Sequence, residues 1–209
     1  HIWCVEEGWQ EHVYFNDAGI MMDRNLGATS AIPGDLGSIG LMYQQGRKDP
    51  FLGKPSYLYS TGAWELEYGF TQSNPEENPM IFYTYNCQEN CNWGAAKTVH
   101  DPCPVGWQVP YGGESGVWTQ VLDLVDGASL TYDAERDGID FADVLGAYDV
   151  IWYPTAGRIY ENDGRRDDAR GFYWCASLDS TEPNYYSYAM CIWTNATFKI
   201  ERLNRANGC

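Results

Sequence analysis

The chain has 209 residues and a formal net charge of -16, a balance that repels nucleic acid and anionic membrane surfaces and sets both aside as partners. No run of about 20 apolar residues occurs, so no membrane insertion through a helix is expected. Aromatics make up 15% of the residues, with Gly 22 and Pro 10, which describes a loop-rich globular chain, read here as one ligand-binding domain over 1–209. Seven cysteines favour an oxidising compartment, and because seven is odd at least one thiol is free or pairs elsewhere. A structural zinc site is disfavoured, since no paired CxxC and no HxxxH spacing is present and the three His are scattered.

In chain order, short strands are expected at Val13–Phe15 and Gly19–Met22, joined by an Asn16-Asp17 turn. The dense polar and aromatic stretches Met22–Thr29 and Gly40–Phe51 have no usable periodicity. Residues 53–100, rich in Pro, Asn, Gly and Tyr, read as a long irregular excursion, with Cys87 and Cys91 close enough to close a small ring. The best amphipathic helix runs from Glu114 to Val125, with Ser115 as its cap and Val117, Trp118, Val121, Leu122 and Leu124 as its apolar stripe. Strand character returns at 150–160 and at 171–178.

The stretch Gly171–Gly208 organises the remainder. Gly171-Phe172-Tyr173-Trp174-Cys175 reads as a buried strand. From Asp179 onward the composition becomes that of a contact surface with little room for a core. Asp179, Asn184, Tyr185, Tyr186, Tyr188, Trp193, Asn195, Thr197, Lys199, Arg202 and Asn204 are its candidate ligand-binding residues. Tyr and Trp supply rigid contact area with a polar tip, and Asn and Thr supply adaptable hydrogen bonds. Residues 171–209 hold three acids and three bases, so the whole excess of acid lies in 1–170. On that reading Lys199 and Arg202 steer acidic or sialylated partners.

MDRNLGATSA, GLMYQQGRKDPF, DPCPVGWQVP, PTAGR, GFYWCAS and the terminal NRANG occur in this order. Together they resemble the "Fibrobacter succinogenes major paralogous" domain of Bacteroidetes surface proteins, from about Gly19 to the end of the chain. That family is related to bacterial C-type-lectin-like domains. The resemblance implies an α+β, C-type-lectin-like fold: a small twisted antiparallel sheet, one or two helices and long irregular loops. It also implies a variable binding region over 171–208, of the kind that diversity-generating retroelements diversify, and a place at the cell surface, in the outer membrane or at a pilus tip. The implied partners are a host or bacterial cell-surface protein or glycan, with pilus subunits as further neighbours. A Cys103–Cys209 disulfide is implied by the family as well. Cys175 stands where the family has Ser, and Cys191 falls inside the variable region.

Two calcium readings stay beside this one. Glu182-Pro183-Asn184 matches the tripeptide with which mannose-type C-type lectins hold Ca²⁺ and sugar, but its usual Trp-Asn-Asp partner is replaced by Trp193-Thr194-Asn195. Asp133–Asp140 begins like an EF-hand loop and fails at its twelfth position, Val144, where a bidentate Glu is needed. Catalysis is not expected. The formylglycine-generating relatives use cysteines, but nothing near Cys175 or Cys191 in sequence supplies a base. Gly112–Gly116 lacks the Lys-Ser/Thr pair of a phosphate loop. The expected function is therefore an adhesin-type, non-enzymatic binding domain without a resident cofactor. A structural pilus or coat subunit and a Ca-dependent lectin are the alternatives.

Overall fold

The computed structural model describes residues 1–6, 21–50, 65–67, 81–83, 93–112, 116–125, 130–142, 150–160, 166–167, 170–205 and 207–209. The expected Val13–Phe15 strand, the Asn16-Asp17 turn, the Cys87–Cys91 ring and the Ser115 cap lie outside them. The described strands are β1 (Val5–Glu6), β2 (Glu65–Glu67), β3 (Ile81–Tyr83), β4 (Trp107–Gln108), β5 (Tyr132–Asp133), β6 (Gly138–Asp140), β7 (Trp152–Pro154), β8 (Arg158–Ile159), β9 (Arg166–Asp167), β10 (Arg170–Leu178), β11 (Tyr186–Trp193) and β12 (Phe198–Asn204). One α-helix among the described residues, α1, spans Val117–Val125, and a 3₁₀ turn covers Leu36–Ser38. The class is mixed α+β. Every strand pair is antiparallel except β2 with β3, which are parallel and lie within the expected irregular excursion.

The central sheet has the order β10-β11-β12. Every residue from Gly171 to Ser177 is buried, which explains why the sequence there is apolar without alternation. Successive side chains still point to opposite faces. Tyr173 and Cys175 join Met190 and Ile192 in one apolar cluster, with Phe198 and Ile200 against it. Phe172, Trp174 and Ala176 join Ala189, Cys191 and Leu203 in a second cluster on the other face. Helix α1 covers the first face with Val117, Trp118 and Val121. Each such side chain contributes about 1.5–3 kcal/mol by leaving water. Tyr153 is the hub of that face, stacked on Trp3 at 4.4 Å and edge-on to Phe141, Trp118 and Tyr173.

The second edge of β10 is closed by other segments. Trp174 donates its backbone N–H to His1 O, Ala176 to Pro110 O, and the Gly157 N–H reaches Arg170 O. The Trp174 indole N–H donates to Tyr43 O at 2.9 Å. Gly138 crosses beneath this packing, where a Cβ would come within 2.5 Å of the Trp152 ring.

Several expectations change. Cys103 pairs with Cys4, not with Cys209, because the start of the chain runs antiparallel beside β4 and brings Cys4 within a Cα separation of 5.9 Å. Cys209 is buried as a free thiol, as are Cys175 and Cys191. The stretch beyond Asp179 has core after all, since Ser187, Ala189–Ile192 and Leu203 are buried. A strand packed on both faces needs this, whatever its neighbours do at the surface.

Around Cys103 the loop is held by a charged clamp. Asp101 Oδ1 accepts from the Cys103 N–H at 2.8 Å and from Lys97 Nζ at 3.2 Å, and Oδ2 accepts from the Val109 N–H at 2.8 Å. Lys97 Nζ also donates to the carbonyls of Cys103, Pro104 and Trp107. Burial pushes the Asp101 carboxyl up, and these donors pull against it. Removing a buried charged acceptor leaves its donors without partners. Asp101→Asn is therefore expected to lower unfolding stability by about 1–3 kcal/mol, read from urea denaturation, with no change in fold.

Candidate functional site

The candidate residues sit on β11, β12 and the two connections that flank them. Between β10 and β11, Asp179 organises a compact loop. Its Oδ1 accepts from the Thr181 N–H at 3.0 Å, the Thr181 hydroxyl at 2.5 Å and the Glu182 N–H at 2.8 Å. This is the local turn chemistry that Asp favours. The loop closes where the Asp179 N–H donates to Tyr186 O and both Tyr185 and Tyr186 N–H donate to Glu182 O.

The loop is then clamped from the sheet. Tyr188 donates its hydroxyl to Asp179 Oδ2 at 3.1 Å, and Arg202 Nε lies 3.6 Å from the same oxygen. Arg202 Nη2 donates to Glu182 Oε2, and its guanidinium covers the Tyr186 ring at 3.9 Å. From beneath, the buried Arg205 donates through Nε to Gln45 Oε1 at 2.8 Å and through Nη1 to Pro183 O at 3.0 Å. Burial lowers the Arg205 guanidinium to about 10, still charged at neutral pH. What stays outside this clamp is Ser180 to Tyr185, all exposed, with Tyr185 at 44% the large apolar group among them.

The eleven candidates do not form one surface. Tyr186, Tyr188, Arg202 and Asn204 pair across β11 and β12 on one face, at the loop end. Trp193 and Lys199 point to the opposite face, because each stands an odd number of residues from that set along its strand. Along β11, seven steps separate Tyr186 from Trp193, about 23 Å at the usual rise. Asn195 and Thr197 lie in the β11–β12 turn beside Trp193, where Asn195 Oδ1 accepts from the Thr197 N–H and hydroxyl. Asp179, at 5% exposure, is a support for the loop rather than a contact residue. Asn184 and Tyr185 are exposed beside it. Both cations expected to steer a ligand are already engaged, Lys199 with Glu201 at 2.6 Å and Arg202 with Asp179 and Glu182.

The metal candidates are equally engaged. Glu182 Oε2 is committed to Arg202 and Pro183 O to Arg205, so two of the tripeptide's oxygens already serve the loop. Asp133 caps its own hairpin turn by accepting from the Glu135 and Arg136 N–H groups, and Asp137 accepts from Tyr132 and Thr155. Among the described residues no group of three or more His, Cys, Asp or Glu is arranged to hold a metal ion. Cys175 and Cys191 are fully covered, and burial raises both thiols, which keeps them protonated and unreactive.

Sequence reasoning missed Arg205, Gln45 and Arg170. Arg205 and Gln45 fall inside two of the quoted motifs, but their pairing spans 160 residues and leaves no local signal of their role. Arg170 is legible only once the β10–β11 register places it opposite Trp193. No family model, no curated protein and no solved structure matches this chain.

The loop has a pH signature. Hydrogen bonds from Thr181 and Glu182, with the Tyr188 hydroxyl, lower the Asp179 carboxyl to about 2. Since the folded value lies below the unfolded one, its stabilisation is complete above about pH 4 and is lost as pH falls through about 2. Near-UV circular dichroism of the tyrosines is expected to change over that acid window in the native chain. The change should be absent in Asp179→Asn, whose loop already lacks the charge.

Proposed function

We propose that this chain is a contact-binding domain of adhesin type with a C-type-lectin-like architecture, displayed outside the cell and without catalytic activity. The observation that carries the reading is the loop Ser180–Tyr185, wholly exposed at its outer surface yet fastened from three sides by Asp179, Arg202 and Arg205. A loop ordered in advance loses little entropy when it binds. Tyr185 supplies a rigid amphipathic anchor beside the 6.5 Å-distant Tyr186 ring, and Asn184 and Thr181 supply polar contacts around it. Asp179 and Glu182 are balanced there by Arg202 and Arg205, so this end suits a neutral surface, a protein face or a neutral glycan.

The motif order described above supports the architecture and a place on the bacterial surface, with the retroelement-type variable region over 171–208. A pilus or coat subunit is the second reading, favoured by the same exposed Tyr185, which would then be covered by a neighbouring subunit. Buried, unreactive thiols support the absence of catalysis.

The deciding experiment is binding of the purified domain to glycan arrays and to intact cells, with and without EDTA. Binding is expected to survive EDTA. Tyr185→Ala is expected to lower it at least about tenfold while shifting stability by less than about 0.5 kcal/mol, because the side chain is exposed. Loss with EDTA would instead favour calcium held by Glu182 and Asn184. Absence of binding together with self-assembly of the purified chain would put the structural subunit first.

A further inference from the structure

Strand β12 is the outer strand of the central sheet, and no described strand lies beside its far edge. The Trp193 N–H bonds to Thr197 O and the Arg205 N–H to Tyr185 O, which fixes the phase of the β11–β12 ladder. Lys199, Glu201 and Leu203 therefore turn their backbone groups to β11, and Phe198, Ile200 and Arg202 turn theirs outward. Among the described residues nothing bonds to these outward groups. Exposed edges are ordinarily blunted by a bulge, a proline or a very short strand. β12 has none of these. Its seven residues pair with β11 in unbroken register, whereas the β10–β11 ladder shifts between Trp174 and Leu178.

The remaining safeguard on such an edge is charge, and here the charges match a second copy of the same strand. Antiparallel pairing of two β12 strands about a two-fold axis at Ile200 sets Ile200 opposite itself, Phe198 opposite Arg202, and Lys199 opposite Glu201. Opposite charges directly across a ladder attract, and symmetry supplies this pair twice. Sliding the copy by two residues in either direction sets Lys199 opposite Lys199 or Glu201 opposite Glu201, so like charges reject the neighbouring registers. Within one chain Lys199 already meets Glu201 at 2.6 Å, and the Lys199 side chain is 57% exposed. Pairing therefore closes four alternating charges into a ring and leaves none of them without a partner. On the other face Phe198 and Ile200 are half-buried against the cluster that α1 covers, and a second Ile200 extends that apolar row.

We propose that the outer edge of β12 is a homodimer interface, at which two copies join their central sheets through antiparallel β12 strands about a two-fold axis at Ile200. Each copy uses its one edge on the other, so association stops at two and does not grow into a filament. The edge Phe198–Arg202 is short of the roughly 1,200 Å² at which standard interfaces begin, so the dimer is weak and depends on concentration. The proposal stands on the ladder and not on the reading given for the Tyr185 loop.

The test is sedimentation velocity of the whole chain in about 0.15 M salt, which screens the repulsion between two acidic bodies beyond about 8 Å. Between about 10 μM and about 1 mM the chain is expected to pass from monomer to dimer and no further. Over the same range the amides of Phe198, Ile200 and Arg202 should gain protection from hydrogen exchange, while those of Lys199 and Glu201, bonded to β11 in either state, keep theirs. Lys199→Glu and Glu201→Lys should each weaken dimerisation at least about tenfold, and an equimolar mixture of the two should recover it as a mixed dimer. The doubly exchanged chain, with both substitutions, should pair as the native chain does, and it serves where a single variant fails to fold. A chain that stays monomeric at the highest concentration, assemblies larger than two, or single variants that pair undiminished would overturn the proposal. Protection of the outward amides in the monomer would assign the edge to another segment of the same chain and overturn it equally. None of these outcomes depends on what binds at Tyr185.

Discussion

Strand β10 has to bury two faces and two edges at once, and the arrangement of its neighbours follows from how that is achieved. One edge is paired by β11 and the other by backbone groups of His1, Pro110 and Gly157, so its amides are satisfied without water. One face is covered by α1 and the Tyr153 aromatic cluster, the other by Trp93, Tyr43 and the disulfide between Cys4 and Cys103. Because both faces are packed, β11 has to carry alternating apolar residues toward each of them, and polar contact residues are displaced to the ends of the strand. A binding surface across the middle of this sheet is excluded by packing alone.

That displacement accounts for the electrostatics. At the loop end Arg202 is drawn between Asp179 and Glu182 and onto Tyr186, and the same pull orders the loop it belongs to. At the turn end Lys199 takes Glu201, and Arg170 is stacked on Trp193. Pleating thus sends Trp193 and Lys199 to one face and Tyr186, Tyr188 and Arg202 to the other, although residues 171–209 read as one stretch in the sequence. A mean composition conceals a separation of this kind, because pleating sorts residues by parity and not by position in the chain.

The motifs that suggest a family serve mainly to build the scaffold. Asn25 is buried and donates to Ile39 O, Gly40 adopts φ +74 against it, Asp101 ties the Cys103 loop, and Arg205 anchors the 180–185 loop through Pro183 O. The side chains of Asn25, Asp101 and Arg205 satisfy backbone groups of distant or looped segments, and a Cβ at Gly40 would come within 2.6 Å of Asn25. The exposed Asn184 and Tyr185 side chains carry no such burden, and they are free to vary at little cost in stability.

The features legible from residue order alone were local. The apolar run at 171–175, the helical stripe from Val117 to Val125 and the strand character of 150–160 were legible because period and β-propensity act over a few residues, whereas the α+β class was expected from the motif resemblance. Packing of distant segments settles which cysteine meets Cys103, which face each aromatic takes and which carboxylate Arg202 holds. Those outcomes depend on strand register and on how distant segments close around β10, where a shift of one residue would exchange every face. The resemblance supplied Cys209 as the partner of Cys103, and the packing of the first strand against β4 supplied Cys4 instead. Side-chain chemistry is written in the chain, but its pairing is written in the fold, because attraction between two groups counts only once the backbone has brought them within reach.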